Sequence, residues 1–380
     1  MKIFGHYNPV ELYFGTGTLE KVGGLAKKYG NKALIVTGRH SMKESGALDR
    51  LLHYLNISGV ETDIFDEVEP NPSYTTVDRG ASMARKCDIV IGLGGGSAMD
   101  AAKAISISAS NNLPISSFYS GEEPTGAIPV IEIATTAGTG SEADRYFVLT
   151  NPETKEKHGR GYRYTYPVAS IVDPSLMKTM PPRLTASTGI DAFFHGLESY
   201  VSKISTPFSE LYAKEAMNLV AKNIENAYRN GSDIDGREKM ALASTLAGMA
   251  IDGSRTTLLH ALEHPVSGHL GISHGEGLAA LSMAYMEFTY PACPEKFARI
   301  ARLLGEEIDK LPMEEAARKS VRGVKNLLDK VDMNLGLADI GVEKDMIDIF
   351  VEDARKSHLV KINPRSATPE DMKEIYYKSL

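Results

Sequence analysis

Cysteine occurs only twice in 380 residues, at Cys87 and Cys293. Two thiols so far apart build neither a disulfide framework nor a thiolate metal site, which fits a reducing, cytoplasmic setting. No stretch approaches the roughly 18 uninterrupted apolar residues of a membrane span. The opening MKIFGHYNPVEL lacks the apolar core and cleavage site of a secretion signal, so neither export nor membrane insertion is expected. Positive charge is scarce too: 42 Lys and Arg stand against 49 Asp and Glu, a net charge of −7. No basic stripe is available to displace counterions from a phosphate backbone, and nucleic acid is not an expected ligand. What is present, 42% hydrophobic and 24% charged residues, is the balance of a folded globular protein. The length favours two domains.

Short apolar runs recur between about residues 33 and 173: ALIVTG, DIVIGLGGG, IPVIEIATT and ASIVDP, with helical patterns such as AMDAAKAISISAS between some of them. This alternation predicts βα units around a parallel sheet. From about residue 183 the β-branched runs stop and long helical patterns follow, among them PFSELYAKEAMNLVAKNIENAYRNG. The change falls at TMPPRLTAS, where Pro181 and Pro182 interrupt any regular element and Thr185 or Thr188 can cap a new helix. The expected division is an α/β domain over residues 1–184 and an all-α domain over residues 185–380.

Two glycine segments lie in the α/β half. In IVIGLGGGSAMDAAKAI an apolar strand runs into Gly94, Gly95 and Gly96, then Ser97. Glycines at a strand-to-helix turn let backbone N–H groups approach a phosphate at the positive end of a helix. The same residues also read as a tight turn with Ser97 as N-cap and Asp100 closing a capping box. The G-x-G-x-x-G fingerprint itself is broken, since Gly92 and Gly94 are followed by Ser97. Further on, Gly138, Gly140 and Ala143 satisfy G-x-G-x-x-A, a match short enough to arise by chance. Thr135, Thr136, Thr139 and Ser141 surround it with hydroxyls, which suit a phosphate or ribose, or equally a polar ordered loop.

Four of the ten histidines fall in LLHALEHPVSGHLGISHGEG, residues 258–277. In TGIDAFFHGLESY, Asp191 and His195 stand one helical turn apart in apolar surroundings, where polar groups need a partner. With His260 and His274 they make a set of one carboxylate and three imidazoles, suitable for Fe2+ or Zn2+, since both accept N/O ligands without thiolate. His264 precedes Pro265, which biases it away from helical geometry and predicts an end or kink there. It is expected near the metal but aimed differently. His269 is expected to face solvent.

Taken together, GGGSAMDAAKA (94–104), TTAGTGSEA (135–143), TGIDAFFHGLESY (188–200), HALEHPVSGHLGISHG (260–275) and NPRSATPEDMKEIY (363–376) resemble the iron-containing, group III alcohol dehydrogenases. The resemblance implies a dehydroquinate-synthase-like architecture: an N-terminal dinucleotide-binding α/β domain followed by a helical metal-binding and catalytic domain, in a homodimer. By motif position it implies Asp191, His195, His260 and His274 as metal ligands and His264 as the catalytic histidine beside the nicotinamide. Gly95, Gly96 and Ser97 are implied at the pyrophosphate, with Gly94 and Asp100 of the same turn in the coenzyme-binding set. Thr135, Thr136 and Thr139 face them from the other loop, and Asn71 and Lys157 are further coenzyme contacts.

The sequence departs from the family pattern in three places. Where many members have Asp after an early strand, LIVTGRHS has Gly38 and Arg39. Asp there would repel a 2′-phosphate that Arg39, His40 or Ser41 can hold, so NADP(H) is expected over NAD(H). Ala143, Asp144 and Arg145 replace a usual Val-Thr, and Gly253, Ser254 and Arg255 a usual Asn-Ala-Gly. Arg145, Arg160 and Arg163 raise an anionic substrate as a minor possibility. The expected reaction is oxidation of an alcohol, or reduction of an aldehyde, with a nicotinamide coenzyme. The alternatives are a dehydroquinate-synthase-type or polyol-dehydrogenase-type enzyme and a catalytically idle nucleotide sensor. The synthase chemistry needs Lys and Arg around the metal, and segments 188–200 and 258–277 contain none.

Overall fold

Strands that read as unbroken apolar runs are strands covered on both faces. In the computed structural model, which describes residues 3–380, six strands form one parallel sheet, and its four inner strands are of this kind. The six are β1 (Glu11–Phe14), β2 (Lys32–Gly38), β3 (Glu61–Val68), β4 (Ile89–Gly94), β5 (Val130–Ala134) and, after an antiparallel pair β6 (Tyr146–Thr150) and β7 (Lys157–Gly161), β8 (Ala169–Val172). The sheet order is β1-β8-β5-β4-β2-β3. Alternation along the strands sends Ile35, Ile91, Leu93, Ile131, Ile133 and Ile171 into one apolar layer, and Leu34, Val36, Val90 and Val130 into the other. The expected α/β architecture is what the chain adopts.

Strand order fixes where this unit can take a ligand. From β2 the chain moves outward to β3, then returns to lay β4 on the other side of β2. A ligand crevice opens where the order reverses, beyond the carboxyl ends of the strands. The segments that leave β2 and β4 there are Gly38–Ser41 and the triple-glycine turn. Since Gly94 pairs with Ala134 in register, the threonine segment after β5 emerges beside that turn.

One core residue breaks the apolar pattern. Glu132 of β5 is fully buried, neither carboxyl oxygen has a hydrogen-bond partner, and Gly92 on β4 leaves the room it fills: a Cβ there would meet Glu132 Oε2 at 2.1 Å. Burial pushes its pKa well above the ordinary 4.5, despite the opposing charge of Lys103. An unfolded glutamate has lost its proton by about pH 5, whereas the folded one keeps it, so stability falls as pH rises from 4.5 toward the folded pKa. Glu132→Gln removes this titration. Its gain in Tm over the parent is expected to be smallest below about pH 4.5 and to grow as pH rises above about 5. A difference independent of pH, in parallel thermal melts, would contradict the burial argument.

The α/β unit comprises Tyr7–Met180 and Ser232–Ala241, the latter held by buried Arg237, which donates to the Met180 carbonyl at 3.0 Å. The second unit comprises residues up to His6, Pro181–Gly231 and Leu242–Leu380, and is helical. Its first helix, Pro182–Val201, starts on Pro182 at N1, where the missing N–H costs nothing. Thr185 and Thr188 are therefore inside the helix and donate back to the carbonyls of Pro181 and Leu184 rather than capping it. Helix His274–Thr289 packs against it, and Leu258–Leu270 packs against His274–Thr289. No helix among the described residues is long and apolar enough to cross a membrane.

Candidate active site

Three imidazoles converge on one carboxylate oxygen. Nε2 of His195, His260 and His274 lie 3.4, 3.6 and 3.7 Å from Asp191 Oδ1. These separations are too long for good hydrogen bonds. They are close to the ~3.4 Å edge of a tetrahedron with arms of about 2.1 Å; Asp191, His195 and His260 offer donor atoms all within 4.8 Å of one another, while His274 groups in the same way with Glu263 and His264. Asp191 Oδ1 and His260 Nε2 are buried with no hydrogen-bond partner, the state of ligand atoms that await a cation. The residues present fit a divalent metal.

Each element delivers its side chain for a local reason. Asp191 and His195 are one turn apart on Pro182–Val201; His260 lies in the first turn of Leu258–Leu270; His274 opens its helix. That helix approaches the first so closely that a Cβ on Gly275 would stand 2.1 Å from the Ser187 carbonyl, and Ser187 Oγ and Ser273 Oγ meet at 2.5 Å. Asp191, His195 and His260 are buried, while the His274 side chain is 22% exposed, so the group opens on that side. Burial alone would raise the Asp191 carboxyl, but His195, His260 and His274 outweigh it and hold the group below its ordinary range. Burial brings His195 down to about 4. For His260 burial acts in the same direction, yet Glu198 and Asp191 lift it to about 9.

His264 stands outside the convergence on Asp191. The helix does not end at Pro265, as the sequence suggests, but runs through it to Gly271, which takes φ +66°. Burial of Leu258, Leu259, Leu262 and Val266 outweighs the ~3 kcal/mol that an interior proline costs. His264 therefore stays helical, half-buried, one turn beyond His260, with its ring 6.1 Å from that of His260 and 5.7 Å from that of His274. His269 does not simply face solvent: its Nε2 is 3.0 Å from Asp353 Oδ2.

In the α/β unit the glycine and threonine segments form one assembly. The helix Gly96–Asn111 starts two residues earlier than Ser97 would allow as N-cap, because Gly94, at φ +155°, turns the chain ahead of Gly95. The Thr135 N–H donates to the Gly94 carbonyl at 2.9 Å, and added Cβ atoms on Gly95 and Gly96 would meet Thr136 and Thr139 at 2.9 and 2.5 Å. Thr135 Oγ1 is buried without a hydrogen-bond partner. Asp100 closes no capping box; it accepts from Ser141 Oγ at 2.7 Å and from the Val148 N–H at 2.8 Å, tying the helix to the loop. Asn71, at φ +54°, precedes Pro72, whose carbonyl bonds Thr150, and Thr150 pairs with Lys157. The fit to a nucleotide rests on the glycine turn, the orphaned Thr135 hydroxyl and the strand-order reversal.

Residues 9–174 match the family described as iron-containing alcohol dehydrogenase, and residues 185–380 match the C-terminal part of the Fe-containing alcohol dehydrogenase family. The chain belongs to the iron-containing alcohol dehydrogenase family. It is 37% identical to the 1,3-propanediol dehydrogenase of Klebsiella pneumoniae over 99% of this chain and 98% of that one. It is 34% identical to the NAD-dependent methanol dehydrogenase of Bacillus methanolicus, over 98% of each. The crystal structure of an archaeal halo-thermophilic alcohol dehydrogenase from a Red Sea brine pool superposes with a TM-score of 0.96 at 41% identity, covering 100% of both chains.

As a member of this family the chain is an oxidoreductase, and its surroundings explain some departures from the pattern. Asp144 ion-pairs with fully buried Lys103 at 3.2 Å. Arg145 donates to the hydroxyls of Tyr166 and Tyr146, Arg160 lies over the Tyr119 ring, and Arg163 over that of Tyr7. Tyrosine contacts position these three arginines. Two carboxylates at the metal group were missed in the sequence. Glu198 and Glu263, both fully buried, lie against Nδ1 of His260 and of His274. The signal was present: an acid inside each apolar helix, with no Lys or Arg beside it in sequence.

Proposed function

We propose that this chain interconverts an alcohol and its aldehyde with a nicotinamide coenzyme, NADP(H) in preference to NAD(H), at an Fe2+ or Zn2+ held by Asp191, His195, His260 and His274. The observation that carries the reading is the approach of three Nε2 atoms to within 3.7 Å of one buried carboxylate oxygen. When bound, the ion supplies Lewis acidity that lowers the pKa of an alcohol, and the oxidised coenzyme supplies the hydride acceptor. Asp191 contributes the negative charge of the ligand set. His264, half-buried beside two of the ligands, takes the hydroxyl proton outward. Gly94, Gly95, Gly96 and Ser97 hold the pyrophosphate, with Thr135, Thr136 and Thr139 opposite; Asn71 and Lys157 complete the coenzyme contacts, and Asp100 acts behind them through Ser141. Steady-state oxidation of simple alcohols with each coenzyme, with and without chelator, tests this reading. Turnover unaffected by metal removal would contradict it.

The coenzyme preference rests on Gly38, the last residue of β2, followed by exposed Arg39, His40 and Ser41 at the reversal of strand order. A side chain fits at Gly38: its nearest neighbour would be the Val68 carbonyl at 3.6 Å, an ordinary contact. Gly38→Asp would place a carboxylate able to accept from ribose hydroxyls and to repel a 2′-phosphate. Its ratio of kcat/KM for NADP+ over NAD+ is expected to fall at least about tenfold, the equivalent of ~1.4 kcal/mol. A parent enzyme that already prefers NAD+ would make the Gly38 argument wrong.

A further inference from the structure

The three ligand imidazoles are not held alike. Nδ1 of His260 hydrogen-bonds Glu198 Oε2; Nδ1 of His274 lies against Glu263 Oε2 as an ion-pair contact outside hydrogen-bond geometry, and Nδ1 of His195 has neither contact. Both carboxylates are fully buried and built into the packing. The other oxygen of Glu198 accepts from the Thr257 N–H (2.9 Å), the Thr257 hydroxyl (2.8 Å) and the Leu259 N–H (2.9 Å), so the residue that meets His260 also fastens the start of the helix that carries it. Space for the Glu263 carboxylate comes from Gly277, where a Cβ would stand 2.7 Å from Oε1.

We infer that Glu198 and Glu263 are positioning residues that set metal affinity: Glu198 holds the His260 proton on Nδ1, Glu263 sets a negative charge behind Nδ1 of His274, and each leaves the Nε2 lone pair of its histidine for a metal. A carboxylate behind a ligand imidazole orients the ring and raises its basicity, and loss of such a partner typically costs about 10–100-fold in affinity. His195 lacks a carboxylate at Nδ1, and its ring is instead stacked on that of His260, centroids 4.8 Å apart. This inference rests on the metal reading above.

The test uses the full-length protein, stripped of metal and titrated with Zn2+ in competition with a chromogenic chelator. Glu198→Gln and Glu263→Gln keep an acceptor for Nδ1–H but lose the charge, and each is expected to weaken Zn2+ about 10-fold. Glu263→Leu loses both and is expected to approach 100-fold. Thermal melts of the metal-free proteins separate positioning from folding. Glu198→Gln should melt lower, because its Oε1 serves four donors, the His260 N–H among them, whereas Glu263→Gln, which keeps the shape and an acceptor, should melt closer to the parent and still bind weakly. Glu263 variants with parental Zn2+ affinity would overturn the inference while leaving the metal reading intact. Two ions per parent chain falling to one in Glu263→Gln would also overturn it, making Glu263 a ligand in its own right with His264 and His274. A parent that takes up no Zn2+ or Fe2+ would instead sink the metal reading, and this inference with it.

Discussion

Asp191→Ala is expected to purify as a folded protein with no bound metal and no detectable alcohol oxidation. The reasoning is geometric, since Asp191 Oδ1 is the point to which all three Nε2 atoms are directed. Without it the remaining donors are three imidazoles with no anionic charge among them. The fold should survive, because the carboxylate supports no secondary structure and the apolar packing of Phe193, Phe194 and Leu197 on the same helix is untouched. His274→Ala is expected to behave the same way, removing the ligand on the exposed side. Parent and variants should melt alike once stripped, and only the parent should gain stability on adding metal, because an ion that binds the folded state alone stabilises it by mass action. Elemental analysis with circular dichroism reads both halves. Full occupancy in either variant would remove that residue from the ligand set.

His264→Asn should leave the metal in place and lower kcat by about 10²–10⁴, the range that follows loss of a group that transfers a proton in the rate-determining step. Two facts separate His264 from the ligands: it lies one turn beyond His260 along the same helix, and its ring stands at 88° to that of His260. His269→Gln is the matched control from the same segment. Its amide can still meet Asp353 Oδ2, so metal content and kcat should both stay near parental values. If His264→Asn loses its metal, or His269→Gln loses activity with metal retained, the two histidines have been given the wrong roles.

Much of this was legible in the sequence because the signals are local. Unbroken apolar runs give the doubly covered parallel strands, and the i, i+4 spacing of Asp191 and His195 puts them on one helix face whatever surrounds it. What escaped depends on the partner that the fold brings alongside. Glu132 reads as a flaw in a strand until Gly92 is found opposite it in register. Asp100 reads as a cap until Ser141, 41 residues on, takes its carboxylate. Pro265 reads as a helix end because proline costs the same in every sequence, whereas the packing that outweighs the cost is tertiary. Glu198 and Glu263 were visible as acids in apolar helices, but neighbouring histidines in sequence do not reveal which nitrogen each carboxylate meets. The family resemblance supplied the ligands and left these supports out, since a motif records identity and position rather than contact.

The most direct test of the account is metal occupancy set beside activity in the parent protein. Anomalous diffraction from crystals of metal-loaded protein, together with alcohol oxidation before and after chelation, measures both. The account predicts one ion per chain, bounded by Asp191 Oδ1 and Nε2 of His195, His260 and His274, with activity lost on chelation and regained on adding Fe2+ or Zn2+. An ion bound elsewhere, or undiminished oxidation by the metal-free protein, would contradict it.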